Sequence, residues 1–353
     1  MKIIITGGAG FVGSNLAIFL KRKYSDYEII SIDNLKRRGS ELNLQRLREY
    51  GIQFFHADVR CKEDLMEFGK FDIMIDSAAE PSVLAGINSS LESVINSNLM
   101  GTINCLEWAK RYKAGIIFLS TSRVYPIQAI ENLNYIETET RFELSSFQTV
   151  AGVSRLGISE SFPLKGYRSI YGTTKLASEI FIEEYKSLYG IKTIINRCGV
   201  ITGPWQMGKI DQGFVVFWLA RHLWKQKLAY IGYGGLGKQT RDILHILDLF
   251  ELIDFQIHNI DSLNGELFNV GGGVEISISL CELTNLCREI TGNTIEIEKI
   301  LKHRPADVKY YITDNSFVHA KTGWKPSISV KQILHEIFDW LVSNENKLKP
   351  YLG

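Results

Sequence analysis

An α/β fold is predicted: a doubly wound parallel sheet with helices on both faces, joined by a smaller interleaved C-terminal domain. Three observations predict it. Short apolar runs alternate with stretches of helical spacing through the first half of the chain, as in successive βαβ units. A glycine cluster, Gly7-Gly8-Ala9-Gly10-Phe11-Val12-Gly13, stands between the first such run and the first helical stretch. The 353 residues exceed the usual size of a single domain.

Taken in order, Lys2-Ile3-Ile4-Ile5-Thr6 reads as a buried parallel strand and Asn15 to Lys23 as a helix. Ile29-Ile30-Ser31-Ile32, Phe54-Phe55, Ile73-Met74-Ile75 and Ile116-Ile117-Phe118-Leu119 are further strands, with helical stretches at Glu41 to Tyr50 and Leu99 to Tyr112. From Pro126 to Arg168 the periodicity fades into polar residues, and so long a segment is expected to be a lid or insertion beside a substrate. Lys175 to Tyr189 returns to helical spacing. Thr193 to Asn196 and Leu267-Phe268-Asn269-Val270 read as strands, so the sheet is expected to recruit late segments. Phe214 to Trp224, Ser277 to Thr291 and Val330 to Val342 read as helices. The expected division is residues 1–200 with roughly 240–273 as one domain, and roughly 201–239 with 274–353 as a substrate domain.

Composition excludes several classes of function. Hydrophobic residues make up 45% and charged residues 22%, which suits a packed core rather than a disordered chain. Lys and Arg number 40 against 39 Asp and Glu, so no overall field attracts a nucleic acid. The five cysteines, Cys61, Cys105, Cys198, Cys281 and Cys287, are scattered and form no C-x-x-C pair, which points to a reducing compartment. No apolar run approaches the roughly 20 residues of a membrane span, and none follows Met1 as a signal segment would. A soluble, cytoplasmic protein with no membrane partner is expected. The seven histidines fall at no metal-ligand spacing, so no metal site is expected.

The glycine cluster matches both G-x-x-G-x-x-G and G-x-G-x-x-G after a strand and at the opening of a helix. In such a turn Gly7, Gly10 and Gly13 permit the bend, the approach of backbone to a pyrophosphate and close packing of helix on sheet. The helix N-terminus offers N–H groups to the anion, and Phe11 and Val12 lie in the same cofactor-binding turn. Asp33 lies twenty residues past Gly13 at the end of the second strand, placed to accept hydrogen bonds from ribose hydroxyls. A carboxylate there favours NAD over NADP, whose extra phosphate it repels. The expected architecture is therefore of Rossmann type, with NAD as cofactor.

Tyr171-x-x-x-Lys175 carries little information alone, since 15 tyrosines give about one such spacing by chance. Its position carries more. It opens a helix and lies downstream of Ser120-Thr121-Ser122, a hydroxyl cluster just past a strand, where side chains outside the carboxyl ends of parallel strands face a cofactor crevice. On a helix Lys175 shares a face with Tyr171 and its charge can lower the Tyr171 pKa, so that the phenolate serves as a base.

At this point the sequence resembles the extended short-chain dehydrogenase/reductase family, in particular its nucleotide-sugar epimerases and dehydratases. Thr6 to Gly13, Asp33-Asn34-Leu35, Asp58-Val59, Ser77-Ala78-Ala79, Asn98-x-x-Gly101-Thr102, Ser120-Thr121, Tyr171-x-x-x-Lys175, Gln239-Thr240-Arg241-Asp242 and Arg304-Pro305-x-Asp307 occur in the order of that family. The resemblance implies that Asn34, Asp58 and Val59 lie on the adenosine side of the cofactor, with Ala78, Ala79 and Asn98 nearer its diphosphate and ribose. It implies that the Cys198 backbone lies by the nicotinamide, Thr121 and Tyr171 by the reacting sugar hydroxyl, and Lys175 by the nicotinamide ribose. Family dehydratases carry Asp-Glu after the threonine; here Ser122-Arg123 stands there, and a hydroxyl and a guanidinium cannot replace two carboxylates. Arg123, Gln206-Met207-Gly208, Asp211-Gln212-Gly213 and Gly237-Lys238-Gln239 resemble a branch of 2-epimerases acting on CDP-linked sugars. Val200 stands where many members have a diphosphate-binding Asn, which shifts that task toward Arg241 and Arg304, with Asp307 beside them. The resemblance thus implies a nucleotide-sugar substrate, Arg123, Gln206, Gln239, Arg241, Arg304 and Asp307 as its contacts, and a homodimer paired through the segments near Leu99 to Tyr112 and Thr173 to Tyr189. A UDP-sugar 4-epimerase and a non-catalytic NAD-binding sensor are the competing readings.

Overall fold

The computed structural model describes residues 1–86, 90–209 and 212–353. The chain divides into two units, one of residues 1–124, 169–197 and 250–268, the other of 125–168, 198–249 and 269–353.

The first unit is organised by a seven-stranded sheet. Its strands are β1 (Lys2–Thr6), β2 (Glu28–Asp33), β3 (Gln53–His56), β4 (Ile73–Asp76), β5 (Gly115–Thr121), β6 (Thr193–Cys198) and β7 (Leu267–Val270), in the order β7-β6-β5-β4-β1-β2-β3. β1 pairs in parallel with both β2 and β4, β2 with β3, and β4 with β5. The order reverses beside β1, so the carboxyl ends of β1 and β4 flank a topological switch point, the position where doubly wound sheets bind ligands. Every residue of β4 and β5 is buried, as near-continuous apolar strands covered on both faces require. Trp108, Phe71, Phe118, Met74 and Leu106 fill the core on one side, with the Trp108 ring packed edge-on to Phe71 at 4.6 Å and its Nε1–H donating to the Gly69 carbonyl (3.1 Å).

Three helices place functional groups. Helix α1 (Phe11–Lys23) opens at the glycine cluster itself, four residues before the start expected at Asn15. Helix α2 (Gly101–Tyr112) is preceded by a wide π turn, Asn96–Met100, where an α-helix was expected from Leu99. Helix α3 (Ile170–Tyr189) starts at Ser169, whose Oγ accepts the Gly172 N–H (3.1 Å), and stops at Gly190 in the left-handed region.

The second unit is built around Thr240–His245, which pairs in parallel with Val200–Thr202 and Tyr310–Tyr311 and antiparallel with Ser277–Ser279. Helices Phe214–Leu223, Leu280–Thr291 and Val330–Ser343 belong to it. Ser277 to Ser279 were expected to be helical; they are a strand, and the helix begins only at Leu280, where Ser279 and Glu282 form a reciprocal capping box. The polar stretch after Tyr125 is tied into this unit. Phe142 N–H donates to the Lys238 carbonyl (3.0 Å), Thr240 Oγ1 to the Phe142 carbonyl (2.7 Å), and Arg141 Nε to Glu282 (2.8 Å). Residues 125–168 thereby make this unit no smaller than the first. Among the described residues no helix is long and apolar enough to cross a membrane.

Candidate active site

The glycine turn is shaped by backbone packing. Gly7 has φ +63°, and its amide neighbour Gly10 N–H donates to the Gly7 carbonyl (2.9 Å). A Cβ on Gly13 would lie 2.4 Å from the Gly7 oxygen and 2.8 Å from Gly8 Cα. A Cβ on Gly10 would meet only the Gly7 carbonyl, at 3.0 Å for the oxygen. Helix α1 has no side-chain cap and no acid in its first turn, while Lys21, Arg22 and Lys23 occupy its last. Its opening N–H groups at Phe11, Val12 and Gly13 are therefore presented to an anion, and the open side of Gly10 leaves room for one. Behind the turn lies a polar support that the sequence reading missed. Asn43 donates to the Ala9 carbonyl (2.8 Å), and Arg46 bridges Asn43 (2.7 Å) and Asn15 (2.9 Å). No spacing rule singles out Asn43; its role exists only because the segment folds back onto the turn.

At the end of β2, Asp33 accepts the Ala9 N–H (3.2 Å) and the Leu35 N–H (2.8 Å), one on each carboxylate oxygen. A carboxylate has about four acceptor sites, so it retains capacity for a diol. Burial pushes its pKa up, against the opposing backbone hydrogen bonds. The glycine turn, the uncapped helix and this acceptor pair fit a dinucleotide. Asp58 is differently placed. Arg60 Nε reaches both its oxygens (2.9 and 3.0 Å), Arg60 Nη2 reaches Oδ2 (2.5 Å), and Asn34 donates to Oδ2 (2.9 Å). Burial would raise this pKa, but the Arg60 and Asn34 hydrogen bonds prevail and bring it to about 2. Val59 is buried beneath Gly101, where a Cβ would lie 2.7 Å from Val59 Cγ2. Ala78 N–H donates to Thr6 Oγ1 (3.2 Å), and Ala79 is exposed.

Of the residues expected to do chemistry, Thr121 lies at the carboxyl end of β5, and Tyr171 and Lys175 lie in the first turns of the helix packed on that strand. Thr121 ends that strand, and its Oγ1 accepts the Arg123 N–H (3.2 Å), which leaves the hydroxyl proton to donate elsewhere. Helix α3 packs against β5 and against the turn Ser122–Val124. Tyr171 is half-buried in its first turn, and Lys175 is 1% exposed with Nζ 3.7 Å from the centre of the Phe118 ring. Asn98, which resemblance assigns to the cofactor, is fully buried as a hub. It accepts the Glu80 N–H (2.7 Å) and donates to Thr174 Oγ1 (3.1 Å). The π turn it sits in is what aims it at α3.

In the second unit, Arg241 Nη2 meets Asp307 Oδ1 (2.9 Å) and the Val308 carbonyl (2.6 Å), while Nη1 donates to the Thr240 carbonyl (2.7 Å). The turn from Arg304 to Asp307, with Ala306 at φ +60°, delivers that carboxylate. So two residues far apart in sequence and expected in one role are brought together. Gln206 is held by its own loop, donating to the Ile201 carbonyl (2.9 Å) and accepting from Thr202 (3.0 Å). Gln239 is buried and donates to the Ile231 carbonyl (2.8 Å). Cys198 is buried at the end of β6 and Arg304 half-buried; Asp211 lies outside the described residues. No cluster of metal-binding side chains occurs among the described residues.

The family model for the NAD dependent epimerase/dehydratase family matches residues 3–271. CDP-paratose 2-epimerase from Salmonella typhi is 31% identical over 97% of this chain and 100% of its own. A putative UDP-glucose 4-epimerase from Methanocaldococcus jannaschii is 28% identical over 97% of this chain and 99% of its own. Among solved structures, UDP-glucuronic acid 4-epimerase from Bacillus cereus, in complex with UDP-glucuronic acid and NAD, superposes with a TM-score of 0.78 at 25% identity, covering 97% of this chain and 99% of that one.

Proposed function

The chain belongs to the NAD dependent epimerase/dehydratase family, and on that premise we propose that it epimerises a nucleoside-diphosphate sugar by transient oxidation, with CDP-paratose at C2 as the substrate. The observation that carries this is the buried Lys175 one turn after Tyr171 on α3, a helix that packs on the strand ending at Thr121, with Ser122-Arg123 where a dehydratase needs two carboxylates. The 31% identity to CDP-paratose 2-epimerase supports the choice of substrate.

On this reading Gly7, Gly10, Phe11, Val12 and Gly13 hold the cofactor pyrophosphate, and Asp33 its adenosine ribose. When bound, NAD supplies a two-electron acceptor that the same cycle regenerates, so no external oxidant is consumed. Tyr171, as phenolate, takes the proton of the sugar hydroxyl, and Thr121 donates a hydrogen bond to the same oxygen. Lys175 holds Tyr171 in its ionised form. After the sugar has turned its other face, Tyr171 returns the proton. That turn requires a grip on the nucleotide rather than on the sugar, a task suited to Arg241 and Arg304, with Arg123, Gln206 and Gln239 as further contacts. Arg241 is already paired with Asp307, so a diphosphate would share or replace that partner. We assign the protein to the cytoplasm, and we place a homodimer contact on the segments near Leu99 to Tyr112 and Thr173 to Tyr189, where Met100 just before α2 and Ile180, Leu188 and Tyr189 on α3 are exposed.

A proton NMR time course with CDP-paratose tests the reading. Appearance of the CDP-tyvelose pattern at H2 supports it. No change, with NAD bound, rejects the 2-epimerase assignment and turns attention to UDP sugars, the substrates named for two of the similar proteins. Absence of any NADH absorbance with every nucleotide sugar would leave a non-catalytic NAD sensor.

A further inference from the structure

The buried face of α3 carries Thr174, Lys175, Ser178 and Glu179, where a helix packed on a sheet ordinarily presents aliphatic side chains. Two systems of side chains receive them. Asn98 donates to Thr174 Oγ1 (3.1 Å) and accepts from Ser178 Oγ at its carbonyl (3.1 Å). Further along, the Glu179 carboxylate accepts Arg197 Nε on both oxygens (3.1 Å each), Arg197 Nη2 on Oε2 (2.7 Å), and the Ser120 hydroxyl on Oε1. Glu179, Arg197 and Ser120 are 2%, 4% and 5% exposed, so the whole cluster is out of water.

Desolvating both charges offsets most of their attraction, so such a pair adds little stability over apolar residues of the same volume. What it adds is direction. Apolar contact is non-directional and lets a helix slide or roll on a sheet, whereas charge-assisted bonds of fixed geometry do not. Ser120 directly precedes Thr121 at the end of β5. Glu179 lies one helical turn beyond Lys175 and two beyond Tyr171 on the same face of α3. The bond from Glu179 to Ser120 therefore ties the helix face that bears Tyr171 and Lys175 to the strand end that bears Thr121, and Arg197 ties it to β6.

We infer that Glu179, held by Arg197 and Ser120, is a positioning residue for the reaction. It sets the height and rotation at which α3 presents Tyr171 and Lys175 to Thr121, and it touches no reacting atom. The inference rests on the role proposed above for Tyr171.

Glu179→Gln alone would strand the Arg197 guanidinium and confuse misfolding with misplacement. The paired variant Glu179→Leu with Arg197→Met removes both charges at similar volume, and Ser120→Ala, which keeps the ion pair, is the milder second variant. The paired variant is expected to unfold cooperatively and to bind NAD within about threefold of the parent, while kcat falls by roughly thirtyfold and KM changes by less than about threefold. The ascending limb of its kcat profile is expected at higher pH, because Lys175 no longer holds the Tyr171 phenolate as closely. A stable paired variant that keeps kcat within about twofold and the same pH limb overturns the inference. Should the paired variant not fold, Ser120→Ala decides on the same two readouts. Ultraviolet difference titration of the holoprotein against Tyr171→Phe reports the Tyr171 phenolate without any substrate. If no nucleotide sugar turns over, the proposed reaction fails, and the inference is judged on that titration: it stands if the paired variant moves Tyr171 toward the ordinary value of about 10, and falls if it does not.

Discussion

Gly10 and Gly13 stand three residues apart in the same turn, yet the structure gives them different duties, and alanine at each should fail differently. A Cβ at Gly13 would sit 2.4 Å from the Gly7 oxygen, 2.8 Å from Gly8 Cα and 2.9 Å from the Gly7 carbonyl carbon. Those are backbone atoms with no rotamer to give way, so the turn or the start of α1 must move by most of an ångström. Overpacking of that kind costs about 3 kcal/mol, at the upper end of its usual range. At roughly 2 °C of melting temperature per kcal/mol for a large domain, Gly13→Ala should melt about 6 °C below the parent even without cofactor. Gly10 is unlike it. Its φ of −68° suits any residue, and its Cβ would meet only the Gly7 carbonyl, at 3.0 Å. Gly10→Ala should therefore stay within about 1 kcal/mol of the parent as apoprotein, the reduced entropy of the unfolded chain offsetting a poorer N-cap. The new methyl occupies the space proposed for the pyrophosphate, so NAD affinity should fall by tenfold or more, about 1.4 kcal/mol. Differential scanning calorimetry of the apoproteins and titration calorimetry with NAD measure the two quantities. Gly10→Ala binding NAD as tightly as the parent would falsify the placement of the pyrophosphate over that turn. Gly13→Ala melting with the parent would show that the turn yields more readily than its contacts indicate.

Tyr171→Phe should lower kcat by about a thousandfold while NAD affinity stays within about twofold; retained turnover in the NMR assay would remove Tyr171 from the chemistry. Arg241→Lys keeps the charge but loses the fork that engages Asp307 and two carbonyls, so KM for the nucleotide sugar should rise about tenfold with kcat little changed, and unchanged steady-state constants would exclude a role in binding. Asp58 has an ordinary value of 3.8 and a folded value of about 2, so its contribution to stability is complete above about pH 4 and is lost as the pH falls through about 2. Arg60→Met removes the main cause of that depression and should move acid unfolding, followed by circular dichroism, to higher pH; superimposable acid transitions would contradict the assignment.

Much of the first unit is legible along the chain because its signals are local. A glycine turn between a strand and a helix, and an acid at the end of the next strand, state their geometry within a few residues. Tyr171 and Lys175 are likewise legible, since one helical turn separates them and helix geometry puts them on one face. The seven strands that form the large sheet all fall within or beside predicted apolar runs. Boundaries were less legible: α1 begins at Phe11 because the glycine turn itself opens it, and Ser277 to Ser279 form a strand because Thr240 to Asp242 are there to pair with them.

What only the tertiary structure decided are meetings between distant segments. The polar run after Tyr125 carries no period of its own, and it joins the second unit through Phe142 with Lys238 and Thr240, and Arg141 with Glu282. Arg241 meets Asp307 through a turn at Ala306, and Asn43 reaches back to the glycine turn. Glu179, Arg197 and Ser120 come from a helix and two strands, and nothing in the order of the residues links the first two to the hydroxyl cluster that holds the third. Periodicity and turn chemistry are properties of neighbouring residues and can be read from order alone. A buried ion pair exists only after the sheet has been assembled, because only then do its partners leave water together.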